Sequence, residues 1–226
     1  MITDFKCLAV DTATERCSIA ACAGGVIGKR EFATSRSGSQ RIYAAVRESL
    51  DEAALTLADL DCIAFGCGPG GFTGLRVGAA VVQALAYGTS TPVCRISSLA
   101  TMAAGAFRQH RASLVATCLD ARMGEAYFAL YGFNDQGMPS ARIEDCLVDP
   151  AAFQIESEHD FCAVGPGWVA YPALGDRHAQ RIERRDFECL PSAVDLLVLA
   201  REHLRSGRTV PAEQALPNYV REKVTQ

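Results

Sequence analysis

The sequence predicts an α/β protein whose mixed sheets are flanked by helices, built as two related lobes. Three observations carry that reading. Three short apolar runs near the start give way to alternating helical and strand patterns, an order that builds a mixed sheet. A glycine-rich loop joins an apolar strand to a helix between Cys62 and Leu85. A strand ending in aspartate and followed by a hairpin occurs twice, at Asp11 and at Asp120, a duplication at the level of pattern.

The elements follow in order. Cys7 to Val10 is a buried strand closed by Asp11 and the polar turn 12–16. Cys17 to Cys22 returns, Gly24-Gly25 turns again, and Val26 to Phe32 completes a meander. The polar loop 35–39 offers Ser39 as N-cap for a helix over Gln40 to Leu55, which carries Ile42, Val46, Leu50 and Ala53 on one stripe. Strand Cys62 to Phe65, loop Gly66 to Gly74 and helix Leu75 to Tyr87 come next, then strand Val93 to Ile96 and helix Ser98 to Arg108. The second half repeats the opening: Leu114 to Leu119 ends in Asp120, residues 121–125 turn the chain, and Ala126 to Phe133 runs back. Phe161 to Val164 leads into Gly165-Pro166-Gly167-Trp168, and a last helix spans Ser192 to Arg205 with Val194, Leu197, Val198 and Leu204 inward. The expected domains are 1–108 and 109–226, with the final segment a candidate to return to the first lobe.

Composition excludes several classes. The chain has 226 residues, 49% of them hydrophobic, enough for a sizeable core. A formal net charge of −4 gives no basic footprint for binding nucleic acid alone. The first residues lack a basic region followed by a long apolar run, and the longest uncharged stretch, Val77 to Cys94, is too polar at one end to span a bilayer. A cytoplasmic location without membrane contact is expected. The ten cysteines include no C-x-x-C pair, and the four histidines show no helical pairing, so no metal site is expected. Cys17 and Cys22 lie five apart in one strand and so face opposite ways.

The glycine loop has the backbone of a nucleotide site without its chemistry. Gly66, Gly68 and Gly71 satisfy G-x-G-x-x-G, and residues 66–73 fit P-loop spacing except that Phe72 stands where lysine belongs. Only Lys6, Lys29 and Lys223 occur in the chain, so no lysine meets a phosphate there. No acidic residue lies about 20 positions on to hold a ribose, which argues against NAD(P). Two readings stand: a partner-facing element, or a tight turn that packs the helix closely on the sheet. Asp11 and Asp120 could hold Mg²⁺ for phosphoryl transfer. The plainer reading of Asp11 is an Asx turn closing its hairpin.

Five runs appear in an order that resembles one bacterial family: Asp11 to Glu15, Ser39 to Ile42, Gly68 to Gly78, Leu119 to Glu125, and Val164 to Trp168. The chain resembles the TsaB (YeaZ) family along nearly its whole length. The resemblance implies the two-lobed fold of actin, sugar kinases and Hsp70, in a shrunken relative of TsaD, the catalytic subunit making threonylcarbamoyladenosine in tRNA. It implies a non-catalytic subunit that partners a TsaD-type protein and a TsaE-type ATPase. The chain would hold no cofactor alone, the assembled complex would use ATP, and tRNA would be met only through the complex. Cys67 and Gly71 replace the arginine and serine common in the family's loop, and Gly38 stands where a histidine is frequent. These departures make direct phosphate chemistry at the loop still less expected.

The helix Leu75 to Tyr87 is apolar or small nearly all round, so one sheet face cannot cover it. Arg76 and Gln83, seven apart, mark a narrow polar face. The expected partner surface comprises Ile42, Tyr43, Val46, Arg76, Gly78, Ala79, Val82, Gln83 and Leu85, and the same surface is expected to form a homodimer in isolation. A buried central helix is the alternative. The basic run Arg177, His178, Arg181, Arg184 and Arg185 is interleaved with acids and reads as a solvated face, with a minor tRNA contact as the other possibility. The rival function is a small ATP-dependent kinase or ATPase of the same superfold. A metallopeptidase reading fails for want of paired histidines.

Overall fold

The computed structural model describes residues 5–34 and 38–221. The chain divides into two compact units, one of Met1–Ser98 with Pro191–Asn218 and one of Leu99–Leu190 with Tyr219–Gln226.

In the first unit β1 (Cys7–Asp11), β2 (Arg16–Ala23) and β3 (Val26–Ala33) form the expected meander. β4 (Cys62–Gly68) and β5 (Val93–Ser97) add in parallel, giving the order β3-β2-β1-β4-β5. Alternate residues sort the two faces. Leu8, Val10, Ile19, Ile63 and Phe65 join a core with α1 (Gly38–Glu52) and α2 (Phe72–Thr89). The opposite parity, Cys7, Ala9, Cys62, Ala64 and Cys94, faces α6 (Ala193–Arg205), where the Cys94 thiol lies 3.7 Å from the Ala200 carbonyl oxygen. This returning helix is capped from the sheet, because the Ala193 N–H donates to Ser18 Oγ at 2.9 Å.

The second unit repeats the topology. β6 (Leu114–Asp120), β7 (Ala126–Phe133) and β8 (Pro139–Val148) form a meander, and β9 (Phe161–Val164) and β10 (Ile182–Asp186) add in parallel. Its order β8-β7-β6-β9-β10 matches that of the first sheet strand for strand. α3 (Ser98–His110) covers one face through Leu99, Met102, Ala103 and Ala106. The short helices α4 (Gly167–Ala170) and α5 (Pro172–Arg177) bring Trp168 and Leu174 to the other face.

Several expectations are corrected. α3 packs on β6, β7 and β9, so the first unit ends at Ser98 rather than at residue 108. β4 runs on through Gly66 and Gly68, with a register shift between them, so the first third of the expected loop is strand. α1 contains Ser39, so Ser39 is not its N-cap; the cap position and residues 35–37 lie outside the described residues. In α6, Val198 is exposed, and Leu196, Leu199 and Ala200 are buried instead. Strands β8 and β10 had no sequence counterpart, because charged residues break their apolar pattern.

Candidate functional site

The glycine loop is consumed by its own unit. The Gly71 N–H donates to the Ala13 carbonyl at 2.7 Å, and the Thr12 hydroxyl donates to the Gly74 carbonyl at 2.8 Å. The Cys67 carbonyl accepts the Asn218 N–H at 2.7 Å. A Cβ on Gly66 would strike Asp11 Oδ2, one on Gly70 the Ala13 carbonyl, one on Gly74 the Thr12 carbonyl, and one on Gly78 the Thr12 hydroxyl. The glycines therefore let β4 and the start of α2 lie against residues 11–13, which is the tight-turn reading. Phe72, in the lysine's place, stacks under the Arg76 guanidinium at 3.6 Å and is half exposed.

Asp11 closes the hairpin as an Asx turn, its Oδ1 accepting the Ala13 N–H at 3.0 Å. The side chain is fully buried and Oδ2 has no hydrogen-bond partner. Burial pushes the carboxyl up to about 7, against smaller opposing contributions from the Ala13 N–H and Arg16. Asp120 differs. It accepts the Arg122 N–H and the Tyr171 hydroxyl on Oδ1, each at 2.7 Å, and pairs with the Arg122 guanidinium at 2.9 Å.

The described cysteines are free thiols, most of them buried. Cys22, Cys7 and Cys62 lie in register on neighbouring strands, with the last two sulfurs 3.6 Å apart. Burial pushes Cys17 and Cys118 each up to about 12, which suppresses the nucleophilic thiolate. Cys17 joins the core beneath α1 and α2 while Cys22 pairs with Cys7, as their odd separation requires. Among the described residues no group of three or more His, Cys, Asp and Glu is placed to hold a metal. No described helix is long and apolar enough to cross a membrane.

The expected partner surface is mostly turned inward. Ile42, Val46, Gly78, Ala79 and Val82 are buried in the core of their own unit, and Leu85 packs against it half-buried. Gln83 donates to the Ala215 carbonyl at 3.4 Å. Only Tyr43 and Arg76 of the nine face outward. The reason is geometric: the apolar stripe that looked too wide for one sheet is met by the sheet, by α1 and by the turn at 212–214. The outer face of α2 is made instead by Phe72, Thr73, Arg76, Ala80, Ala84 and Tyr87, the last 81% exposed. Arg76 lies on this face with Ala80 and Tyr87 at helical spacing, but Gln83, the other polar residue of the helix, turns toward Ala215, so polarity alone did not mark the outward side.

The basic run is only partly a solvated face. Arg177 Nη1 donates to the carbonyls of Pro150 at 2.9 Å and Phe153 at 3.3 Å, and so ties down that loop. His178 is buried and accepts the Ile155 N–H at 3.3 Å. Arg181, Arg184 and Arg185 are exposed.

Two mixed sheets of one topology, each with a glycine turn after its central parallel strand, define the two-lobed α/β class of actin, sugar kinases and Hsp70. The model of the family described as "TsaD: tRNA N6-adenosine threonylcarbamoyltransferase" matches residues 11–224. The chain is 36% identical over 224 residues to the tRNA threonylcarbamoyladenosine biosynthesis protein TsaB of Escherichia coli, covering 97% of this chain and 96% of that one. It is 35% identical to the protein of the same name in Haemophilus influenzae, covering 96% of this chain and 94% of that one. The solved structure of YeaZ from Pseudomonas aeruginosa superposes with a TM-score of 0.84 at 36% identity, covering 95% and 99% of the two chains. The chain belongs to the TsaB (YeaZ) family.

Proposed function

We propose that this chain is a non-catalytic subunit of the machinery that makes threonylcarbamoyladenosine in tRNA, in the cytoplasm. It binds a TsaD-type catalytic protein and works with a TsaE-type ATPase. The names of its relatives support the pathway. The observation that carries the non-catalytic role is the loop 66–74: its Gly71 N–H is spent on the Ala13 carbonyl, and the space at Gly66, Gly70 and Gly74 is filled by residues 11–13. A phosphate cradle needs free N–H groups at that helix start. The chain accordingly holds no nucleotide alone, ATP is used by the assembled complex, and tRNA is met through it.

The docking surface is the outer face of α2 with Tyr43 of α1. Ala80 and Ala84 allow a helix to approach closely, and Phe72 and Tyr87 supply apolar area at the two ends. In isolation the same face pairs with itself about a two-fold axis. The test is Ala80→Arg and Ala84→Glu, which place a charge in the contact without touching the core. Each is expected to weaken TsaD-type binding at least about tenfold, since an uncompensated buried charge costs several kcal/mol. Size-exclusion chromatography with light scattering reads the assembly, and circular dichroism checks the fold. Native affinity in both folded variants would overturn this interface. The rival reading, a small ATP-dependent kinase, is tested by titration calorimetry with Mg-ATP: micromolar binding by the isolated chain would replace the scaffold role.

A further inference from the structure

The sheet face beneath α6 carries a row of thiols that the docking role leaves unused. Cys22 of β2 stands opposite Cys7 of β1, and Cys7 stands in register with Cys62 of β4. Cys94 of β5, opposite Ala64, continues the row on the far side of Cys62. All four are fully buried. A row laid along one sheet does not close around a cation, and among the described residues no group of three such donors is placed to hold a metal. Its chemistry is therefore pairwise. Cys62 donates its S–H to the Cys7 sulfur at 3.6 Å. Neighbouring strands lie ~4.8 Å apart, so in-register Cα atoms fall within the about 4.4–6.8 Å that a disulfide spans. The cover over the row is α6. Its Ala200 carbonyl lies 3.7 Å from the Cys94 thiol, and its start is fastened by the Ala193 N–H donating to Ser18 Oγ at 2.9 Å.

We propose that Cys7 and Cys62 are an oxidation site gated by α6, at which a peroxide converts the two thiols into a disulfide between the central strands. The Cys7 thiolate attacks one oxygen of hydrogen peroxide and becomes a sulfenic acid, releasing hydroxide. Hydroxide takes the Cys62 proton, and the Cys62 thiolate attacks the Cys7 sulfur. The S–S bond forms as the sulfenic oxygen leaves as hydroxide, which is neutralised by the proton that Cys7 first gave up. Two thiols and one peroxide thus give one disulfide and two waters. Cys7 reacts first because its sulfur accepts the Cys62 S–H, an arrangement that favours its thiolate. While α6 is docked, burial pushes the Cys7 thiol up, and the bond to Cys7 pushes Cys62 up, so little thiolate forms. Lifting α6 admits water and peroxide, and α6 then closes again over a product that is neutral and apolar. α6 is suited to lift because it belongs to the separate segment Pro191–Asn218 and only overlies the sheet.

The test treats the full-length chain with hydrogen peroxide, caps the remaining thiols with iodoacetamide in denaturant and maps the peptides by mass spectrometry. The expected product is a monomer with a linked peptide pair holding Cys7 and Cys62. Its Tm is expected to rise by at least about 5 °C and to fall back with dithiothreitol, since the bridge joins residues 55 positions apart. Ser18→Ala removes the acceptor at the start of α6, and Leu197→Ala thins its buried face. Each is expected to speed the linkage at least about threefold while circular dichroism stays native. Cys62→Ala is expected to abolish it. Recovery of Cys7 and Cys62 fully capped, while the less buried Cys146 and Cys189 are oxidised, overturns the proposal. So does linkage of Cys62 to Cys94, or of Cys7 to Cys22, in place of the Cys7–Cys62 pair, and so does a linked product that melts lower. An unchanged rate in both folded variants of the α6 contact overturns the gate.

Discussion

Asp11 shows what one buried residue can decide. Its proton contributes stability that is fully present below the ordinary carboxylate value of 3.8 and is lost as pH rises through about 7. Asp11→Asn keeps the acceptor for the Ala13 N–H and removes the buried charge. It is expected to raise Tm at pH 8 by about 2–4 °C, the shift that ~1 kcal/mol gives in a chain of this size, and to give no gain at pH 4. Thermal melts across that range check the sign. Asp11→Ala also loses the Asx turn and is expected to lower stability while modification by a reconstituted assembly persists. His203 works in the opposite sense: burial first, then Arg208, holds it down to about 4. Its neutral form contributes stability present above 6.5 and lost as pH falls through about 4. Within the loop, Gly74→Ala would press a methyl on the Thr12 carbonyl and is expected to cost about 1–3 kcal/mol. Gly71→Ser meets only the Ala13 carbonyl, 3.6 Å away, and should stay within about 0.5 kcal/mol. Urea melts of the pair separate close approach from general intolerance.

Among the elements, three helices end on side-chain-bearing residues in left-handed backbone. Ala54, Ser90 and Arg111 have φ of 53°, 55° and 56°. After α1 the Leu55 N–H reaches the Leu50 carbonyl at 2.9 Å and the Ala54 N–H reaches that of Asp51 at 3.1 Å, a Schellman closure that ordinarily uses glycine. Ala54→Gly is expected to stabilise the chain by about 1 kcal/mol, the left-handed penalty of alanine less the added chain entropy of glycine. A higher urea midpoint at unchanged slope would show it, and a lower midpoint would mean that the turn is not strained. The same caps explain why helix ends were hard to read. With no glycine to stop it, α1 reads three residues too long, whereas α2 runs on through Gly88, and it and α3 each read two residues too short. The strands of the two meanders were legible because their apolar runs are short and bounded by turn residues.

For the whole molecule, the first unit is discontinuous, since residues 191–218 belong to it. α6 covers the sheet face that carries Cys7, Cys62 and Cys94, and buries Leu196, Leu197 and Leu199. Residues 1–98 alone would expose that face and are expected not to fold. Supplying residues 191–218 through a short linker is expected to restore cooperative melting. A fragment 1–98 with native circular dichroism and a sharp transition would refute this.

The sequence by itself determined the α/β class, the duplicated aspartate hairpins, the strand–glycine–helix unit and the family, because these rest on local periodicity, turn chemistry and residue order. Only the tertiary structure decided which side of α2 is outward, where the first unit ends and what the glycines face. Those depend on contacts between residues far apart in the chain, such as Gly74 against Thr12 and α6 against the first sheet. Helical spacing gives the angle between two side chains and says nothing of which angle the sheet will occupy; that is settled when Val82 and Ala79 enter the core and leave Ala80 and Tyr87 to solvent.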